Sequence, residues 1–154
     1  MIEVAGPNVF SGYWGMPEKT EAEFRGEFFI TGGIGLIDDR GYVSIVGRSK
    51  DLIISGGYNI YPKEVEAEID ALEGVAESAV VGIPHPDFGE AVAAVIVPKP
   101  GADLSEDFIR QALSVRLARY KLPKHIRFVR ELPRNTMGKV QKNVLRDDLS
   151  ATQH

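Results

Sequence analysis

The sequence predicts an α+β protein in two parts, on three observations. Residues 1–47 read as short β-prone runs divided by glycine and proline, with one brief helical stretch. From residue 48 onward, apolar runs of strand length mix with amphipathic helices, the pattern of a short sheet covered by helices. A chain of 154 residues can bury roughly 70 % of its unfolded surface, enough for one core. Its 44 % hydrophobic and 26 % charged residues are those of a globular protein, and no run of 18 apolar residues could span a membrane.

In the first part, Ile2–Val4 is a strand fragment and the AGPN after it a turn. Met16-Pro17 opens a short helix, PEKTEAEF, with proline suited to a first turn. Phe28–Thr31 is apolar and β-prone. Gly35–Asp38 and Tyr42–Val46 flank Asp39-Arg40-Gly41, a hairpin signature whose glycine can take positive φ. Three strands this small make a meander that is marginal alone, with apolar faces that need a partner beyond the segment. The polar Gly47-Arg48-Ser49-Lys50-Asp51 marks the boundary.

In the second part, Leu52–Ile54 is apolar and Ser55-Gly56-Gly57 is the most flexible tripeptide in the chain. Pro62 heads the helix KEVEAEIDAL, with Val65, Ile69 and Leu72 at i, i+4, i+7 among glutamates and Gly74 to stop it. Val75–Ile83 and Ala91–Val97 read as buried strands joined by the loop PHPDFGE. Ser105 caps a helix running through Arg119, with Phe108, Ala112, Val115 and Leu117 as its apolar positions. Lys121-Leu122-Pro123 ends it. His125–Val129 is a further strand, and Val140–Leu149 a final amphipathic helix.

The net charge of −4 conceals an asymmetry. Between Arg110 and Arg146, eleven Lys/Arg face a single acid, Glu131, for a net +10; the remainder carries −14. Such a concentration favours an anionic ligand, with nucleic acid and phosphorylated cofactors both open. Other chemistries lack residues. Zero cysteines exclude disulfides and thiolate metal sites and suit a cytoplasmic protein. The N-terminus has no basic and apolar regions of a secretory signal. His85, His125 and His154 show no ligand spacing, so no metal site is expected. Gly138-Lys139 is followed by valine, so the phosphate-loop pattern of nucleotide triphosphatases is absent.

Four clusters remain: FFITGG (28–33), GRSKD (47–51), ISGGYNIYPKEVE (54–66) and PRNTMGK (133–139). In this order, over about 110 residues, they resemble the C-terminal part of the adenylate-forming superfamily, which includes acyl-CoA synthetases, peptide-synthetase adenylation domains and luciferases. The wording of PRNTMGKVQKNVLR and SGGYNIYPKEVE is closest to the malonyl-CoA synthetase branch. The resemblance implies that 1–47 ends a large adenylation domain and that 48–154 is the mobile C-terminal domain.

It also implies roles. Lys139 would contact the acyl carboxylate and the α-phosphate during adenylate formation. Two anions must meet there, and a cation at ~4 Å offsets about 4 kcal/mol of repulsion at an effective dielectric near 20, before desolvation. Thr31 and Arg48 would face the nucleotide, Arg48 at the ribose hydroxyls. Lys50 would be the hinge between adenylation and thioester formation, with Gly47 and Ser49 beside it. Ser55, Gly56 and Gly57 would line the pantetheine channel, and Arg116 and Lys121 would lie near the CoA phosphates.

The sequence departs from the family where T-G-D would place an aspartate on the ribose, because it has Gly33. Losing that charge-assisted hydrogen bond costs on the order of 1.5–3 kcal/mol of nucleotide binding. ATP, its Mg and CoA would be substrates of an intact ligase whose large domain supplies the phosphate loop, the acyl pocket and most of the Mg contacts. Within this frame the expected partners are that N-terminal domain and a small carboxylic acid, with no membrane and no nucleic acid, and the 154 residues alone are expected to be inactive. Two alternatives compete: a basic nucleic-acid-binding module, and a standalone domain that docks on a separate adenylation domain.

Overall fold

A computed structural model describes residues 1–152, leaving His154 outside the described residues. The chain divides into two compact units, residues 1–50 and the chain from Asp51 onward.

The first unit contains strand β1 (Glu3–Val4), helix α1 (Pro17–Glu23), β2 (Phe24–Arg25), β3 (Phe28–Ile30), β4 (Gly33–Ile37) and β5 (Val43–Arg48). The expected meander is instead two sheets, a three-stranded one in the order β1-β3-β2 and the hairpin β4–β5. The difference comes from Phe24–Arg25. They leave the helix in extended conformation and pair with Phe28 and Phe29 across a turn at Gly26, so Phe24, expected at the end of the helix, begins a strand. Phe10, Tyr13, Phe24 and Phe29 cluster edge-on at 5.0–5.5 Å between ring centres, where aromatic pairs attract. The hairpin closes as expected: Asp38 Oδ1 accepts from the amides of Arg40 and Tyr42, and Gly41 takes positive φ. Among residues 1–50 no side chain is fully buried.

The second unit contains β6 (Ile53–Ser55), β7 (Tyr58–Ile60), α2 (Pro62–Asp70), β8 (Val75–His85), β9 (Gly89–Pro98), α3 (Glu106–Ser114), β10 (His125–Phe128) and α4 (Lys142–Ala151). Its five-stranded sheet runs β10-β9-β6-β7, with β8 paired to β9. The long β8–β9 hairpin is antiparallel and β10 lies parallel to β9. Alternation along these strands separates two cores. Val80, Val92, Ala94 and Ile96 point to one face, where α2 and α3 bring Val65, Ile69, Ile109 and Leu113. Ala79, Val81, Ile83, Ala91, Ala93 and Val95 point to the other, covered by Leu145 and Leu149 of α4 and by Leu132. A sheet buried on both faces needs near-continuous apolar strands, and that is how β8 and β9 read.

Two expectations are corrected here. The Ser105-capped helix ends at Ser114, five residues early, because Ala118 is extended and a single 3-10 turn, Arg119–Lys121, follows. Its buried positions are Ile109 and Leu113, one residue off the expected stripe, so Phe108 and Val115 face outward. The PHPDFGE loop is also shorter than it looked, since Pro84 and His85 continue β8 and Gly89 begins β9. The cap itself is as expected, with Ser105 Oγ accepting from the Phe108 amide at 3.2 Å.

Candidate functional site

The expected residues fall into two groups, one in each unit. In the first unit, Gly33 and Arg48 are cross-strand partners at the open end of the β4–β5 hairpin. Thr31 is tied down beside them: its hydroxyl donates to the Ile2 carbonyl at 2.8 Å and accepts from the Gly33 amide at 3.1 Å. Arg48 is exposed and makes no ion pair among the described residues. A side chain at Gly33 is sterically close to possible, since its Cβ would lie 3.2 Å from Thr31 Oγ1 and φ there is not positive. Lys50 sits in a single 3-10 turn, Ser49–Asp51, and is the last residue of its unit.

In the second unit, Ser55-Gly56-Gly57-Tyr58 makes the two-residue turn between β6 and β7. Gly56 and Gly57 have φ of 57° and 82°, values a residue with a Cβ seldom adopts, so the flexible-looking tripeptide is a tight turn. It is held from below. The Gly56 amide donates to the Phe88 carbonyl at 2.9 Å, Ser55 is buried, and the Ile54 amide donates to the Glu90 carboxylate at 2.8 Å.

Arg116 and Lys121 lie over α2, and each already has an anion. Arg116 pairs with Glu68 at 3.4 Å and Lys121 with Glu64 at 2.5 Å. The Glu64 hydrogen bond, ahead of the opposing effect of burial, raises the Lys121 pKa above its ordinary value. Tyr58 and Tyr120 stack beside this pair, 4.5 Å between ring centres and 21° between planes.

These pairs revise the charge argument for the whole basic segment. Arg110 pairs with Glu106, Arg134 with Glu77, and Lys142 with the buried Glu66 at 2.6 Å. Arg127 donates to Thr152, Arg146 to the Gly82 carbonyl, and Lys124 lies over the Phe88 ring. Four of these cations are therefore offset by acids that the sequence places 48–76 residues away. The same crowding of cations reaches His125. Burial first, then the charges of Arg110, His85 and Lys124, hold its pKa below the usual histidine value.

Lys139, like Arg119 and Arg130, makes none of these contacts. It follows Gly138, whose φ of 78° turns the chain, on a loop closed by an isolated bridge between Arg134 and Val140. The residue is exposed, and its ammonium makes no ion pair or hydrogen bond among the described residues. The side chains that shape its loop are Arg134 and Asn135, which the sequence motif alone gives no role. An asparagine three residues before a positive-φ glycine was the available signal.

Comparison with known proteins gives a consistent picture. The family described as AMP-binding enzyme C-terminal domain matches residues 64–139. A feruloyl-CoA synthase of an Amycolatopsis species is 46 % identical over 145 residues, covering 94 % of this chain and 30 % of that protein. The long-chain-fatty-acid–CoA ligase FadD13 of Mycobacterium tuberculosis is 49 % identical over 140 residues, covering 91 % of this chain and 28 % of that protein. Among solved structures, ATP-bound MatB from Rhodopseudomonas palustris superposes with a TM-score of 0.93 at 59 % identity, over 99 % of this chain and 30 % of that one. The chain thus spans under a third of the length of these relatives.

Proposed function

The chain belongs, through residues 64–139, to the family of AMP-binding enzyme C-terminal domains, and on that premise we propose that it serves as the C-terminal part of an ATP-dependent acid–CoA ligase. In the intact enzyme a carboxylate attacks the α-phosphorus of ATP and expels pyrophosphate. The CoA thiol then attacks the acyl carbonyl and expels AMP. The observation that carries this reading is the presentation of Lys139: an exposed ammonium, with no ion pair or hydrogen bond among the described residues, on a turn closed by the Arg134–Val140 bridge. A cation so held can sit between two approaching anions with little reorganisation.

The remaining roles follow from the same reading. Thr31 and Arg48 face the nucleotide, Arg48 at the ribose hydroxyls, where Gly33 in place of an aspartate weakens the grip. Residues 1–47 close the adenylation domain, 48–154 form the mobile domain, and Lys50 is the pivot between the adenylation and thioester steps. Ser55, Gly56 and Gly57 border the channel for pantetheine. Arg116 and Lys121 meet the CoA phosphates by exchanging Glu68 and Glu64 for them. The wording of PRNTMGKVQKNVLR and SGGYNIYPKEVE favours malonate or another short-chain acid, and the 59 % identity with MatB agrees with that branch, while the acyl pocket itself belongs to the large domain. The Mg that accompanies ATP would be held mainly by the large domain and the phosphates. No helix of the described residues is long and apolar enough to cross a membrane. The cytoplasm is the setting that suits a cysteine-free chain using ATP and CoA. The nucleic-acid alternative loses support, because five of the eleven cations it needs are paired with acids within the chain.

The test is a hybrid in which this chain replaces the matching 30 % of MatB. Pyrophosphate exchange and acyl-CoA formation should appear in the hybrid and be absent from the 154-residue chain alone. Lys139→Ala should cut adenylation by roughly 10²–10³-fold. Acyl-CoA from the chain alone, or a fully active Lys139→Ala hybrid, would overturn the proposal.

A further inference from the structure

We infer that Asn135, Arg134 and Glu77 are positioning residues for Lys139, fixing the turn that presents it and fastening that turn to strand β8. The inference rests on the function proposed for Lys139.

Its basis is how completely the turn is bonded, despite being exposed. Asn135 Oδ1 accepts from the Met137 amide at 3.0 Å and from the Lys139 amide at 2.9 Å. The Asn135 amide donates to the Lys139 carbonyl, and the Gly138 amide donates to the Asn135 carbonyl, both at 2.9 Å. Lys139 therefore has both backbone groups held by one residue. Arg134 adds the anchor: Nη1 donates to the Gly138 carbonyl at 2.7 Å, while Nη2 pairs with the Glu77 carboxylate on β8. Below the turn, the Gln141 amide donates to the Pro133 carbonyl at 2.8 Å and leads into α4.

This arrangement has a mechanical meaning. A lysine side chain has four rotatable bonds, so a mobile backbone beneath it would spread its ammonium over many positions. Here the backbone from Asn135 to Lys139 is closed on itself and tied to the longest strand of the sheet. What remains free is the side chain, the part that must reach an anion. A planar guanidinium suits the anchor because it can donate to a carbonyl and a carboxylate at once, which a point-charge ammonium cannot do with the same geometry.

The experiment uses two readouts. In the 154-residue chain, Asn135→Ala should speed amide hydrogen exchange at Met137 and Lys139 by roughly tenfold or more, leaving the β9 amides unchanged. Asn135→Asp keeps the acceptor and should restore protection. In the MatB hybrid, Asn135→Ala and Arg134→Lys should lower kcat for adenylation by roughly 10- to 100-fold, as misplacement by about 1 Å does, with KM for ATP little changed. Thioester formation from supplied acyl-adenylate should proceed at the parent rate. A loosened turn with normal adenylation overturns the inference, and so does an equal loss in both half-reactions. If Lys139→Ala abolishes adenylation while both positioning variants remain fully active, only the clamp is overturned. If Lys139→Ala adenylates normally, the function proposed for Lys139 fails and the clamp fails with it.

Discussion

Residues 1–50 and the chain after Asp51 solve opposite problems with similar ingredients. The second unit buries 23 hydrophobic residues in two cores on either side of one sheet. The first buries none, and displays Leu36, Ile37, Tyr42, Val43 and Ile45 on a two-stranded hairpin and Trp14 on a loop. A fully buried Ile or Leu contributes about 1.5–3 kcal/mol over an exposed one, which decides whether strands stand alone. The second unit carries its own stability. The first has apolar surface of the kind that ordinarily covers another surface.

The largest test of that contrast is to separate the units. A chain beginning at Asp51 should melt cooperatively by circular dichroism, and residues 1–50 alone should show no transition. A cooperative melt from 1–50 would break the comparison outright. Next in size are single truncations. Ile69→Ala, at a fully buried site, should cost about 2–5 kcal/mol in chemical denaturation, while Ile45→Ala, 76 % exposed, should stay within about 0.5 kcal/mol. Equal costs would mean that the hairpin is covered.

The second unit also buries charge. Glu66, 4 % exposed, accepts from Lys142 and from the Val80 amide, joining α2, β8 and α4. Lys142→Met leaves that carboxylate short of its nearest cation and should destabilise by about 3 kcal/mol. A neutral result would show that the Glu66 site takes up its proton or its water without penalty.

In the first unit the informative change is a gain. Gly33→Asp in the hybrid should tighten ATP by on the order of 1.5–3 kcal/mol, read as KM in pyrophosphate exchange, if Thr31 gives by a few tenths of an ångström. The smallest effect is pH dependence. Because the folded His125 pKa lies below its unfolded value, the unfolded chain takes up a proton first as pH falls. Its contribution is fully present above about pH 6.5 and is lost below that value, towards the folded pKa. His125→Asn should flatten the stability profile in that window.

Much of this was legible in the residues. The Pro62 helix and its Val65–Ile69 stripe, the Ser105 cap, the hairpin at Gly41 and the paired apolar strands all follow from local rules. Lys139 was marked out by local facts too, glycine before the lysine and proline before the turn. The far side of α3 was misread because Phe108 and Val115 are as apolar as Ile109 and Leu113. Hydrophobicity alone does not say which stripe faces the sheet.

By itself, then, the sequence determined the helices and the long strands, though not the short strands β2 and β7, together with the family resemblance and the residues worth watching. Each depends on chain neighbours or on motif spacing. Tertiary structure alone decided which charges are neutralised. Arg134 meets Glu77, Lys121 meets Glu64 and Lys142 meets Glu66 across 57–76 residues of sequence, and a count of charges along the chain cannot see such pairs. Coulomb attraction depends on distance in space, and the fold sets that distance. Once those partners are placed, Lys139 is one of the cations of the segment left without an acid, and the one carried on a closed, glycine-turned loop.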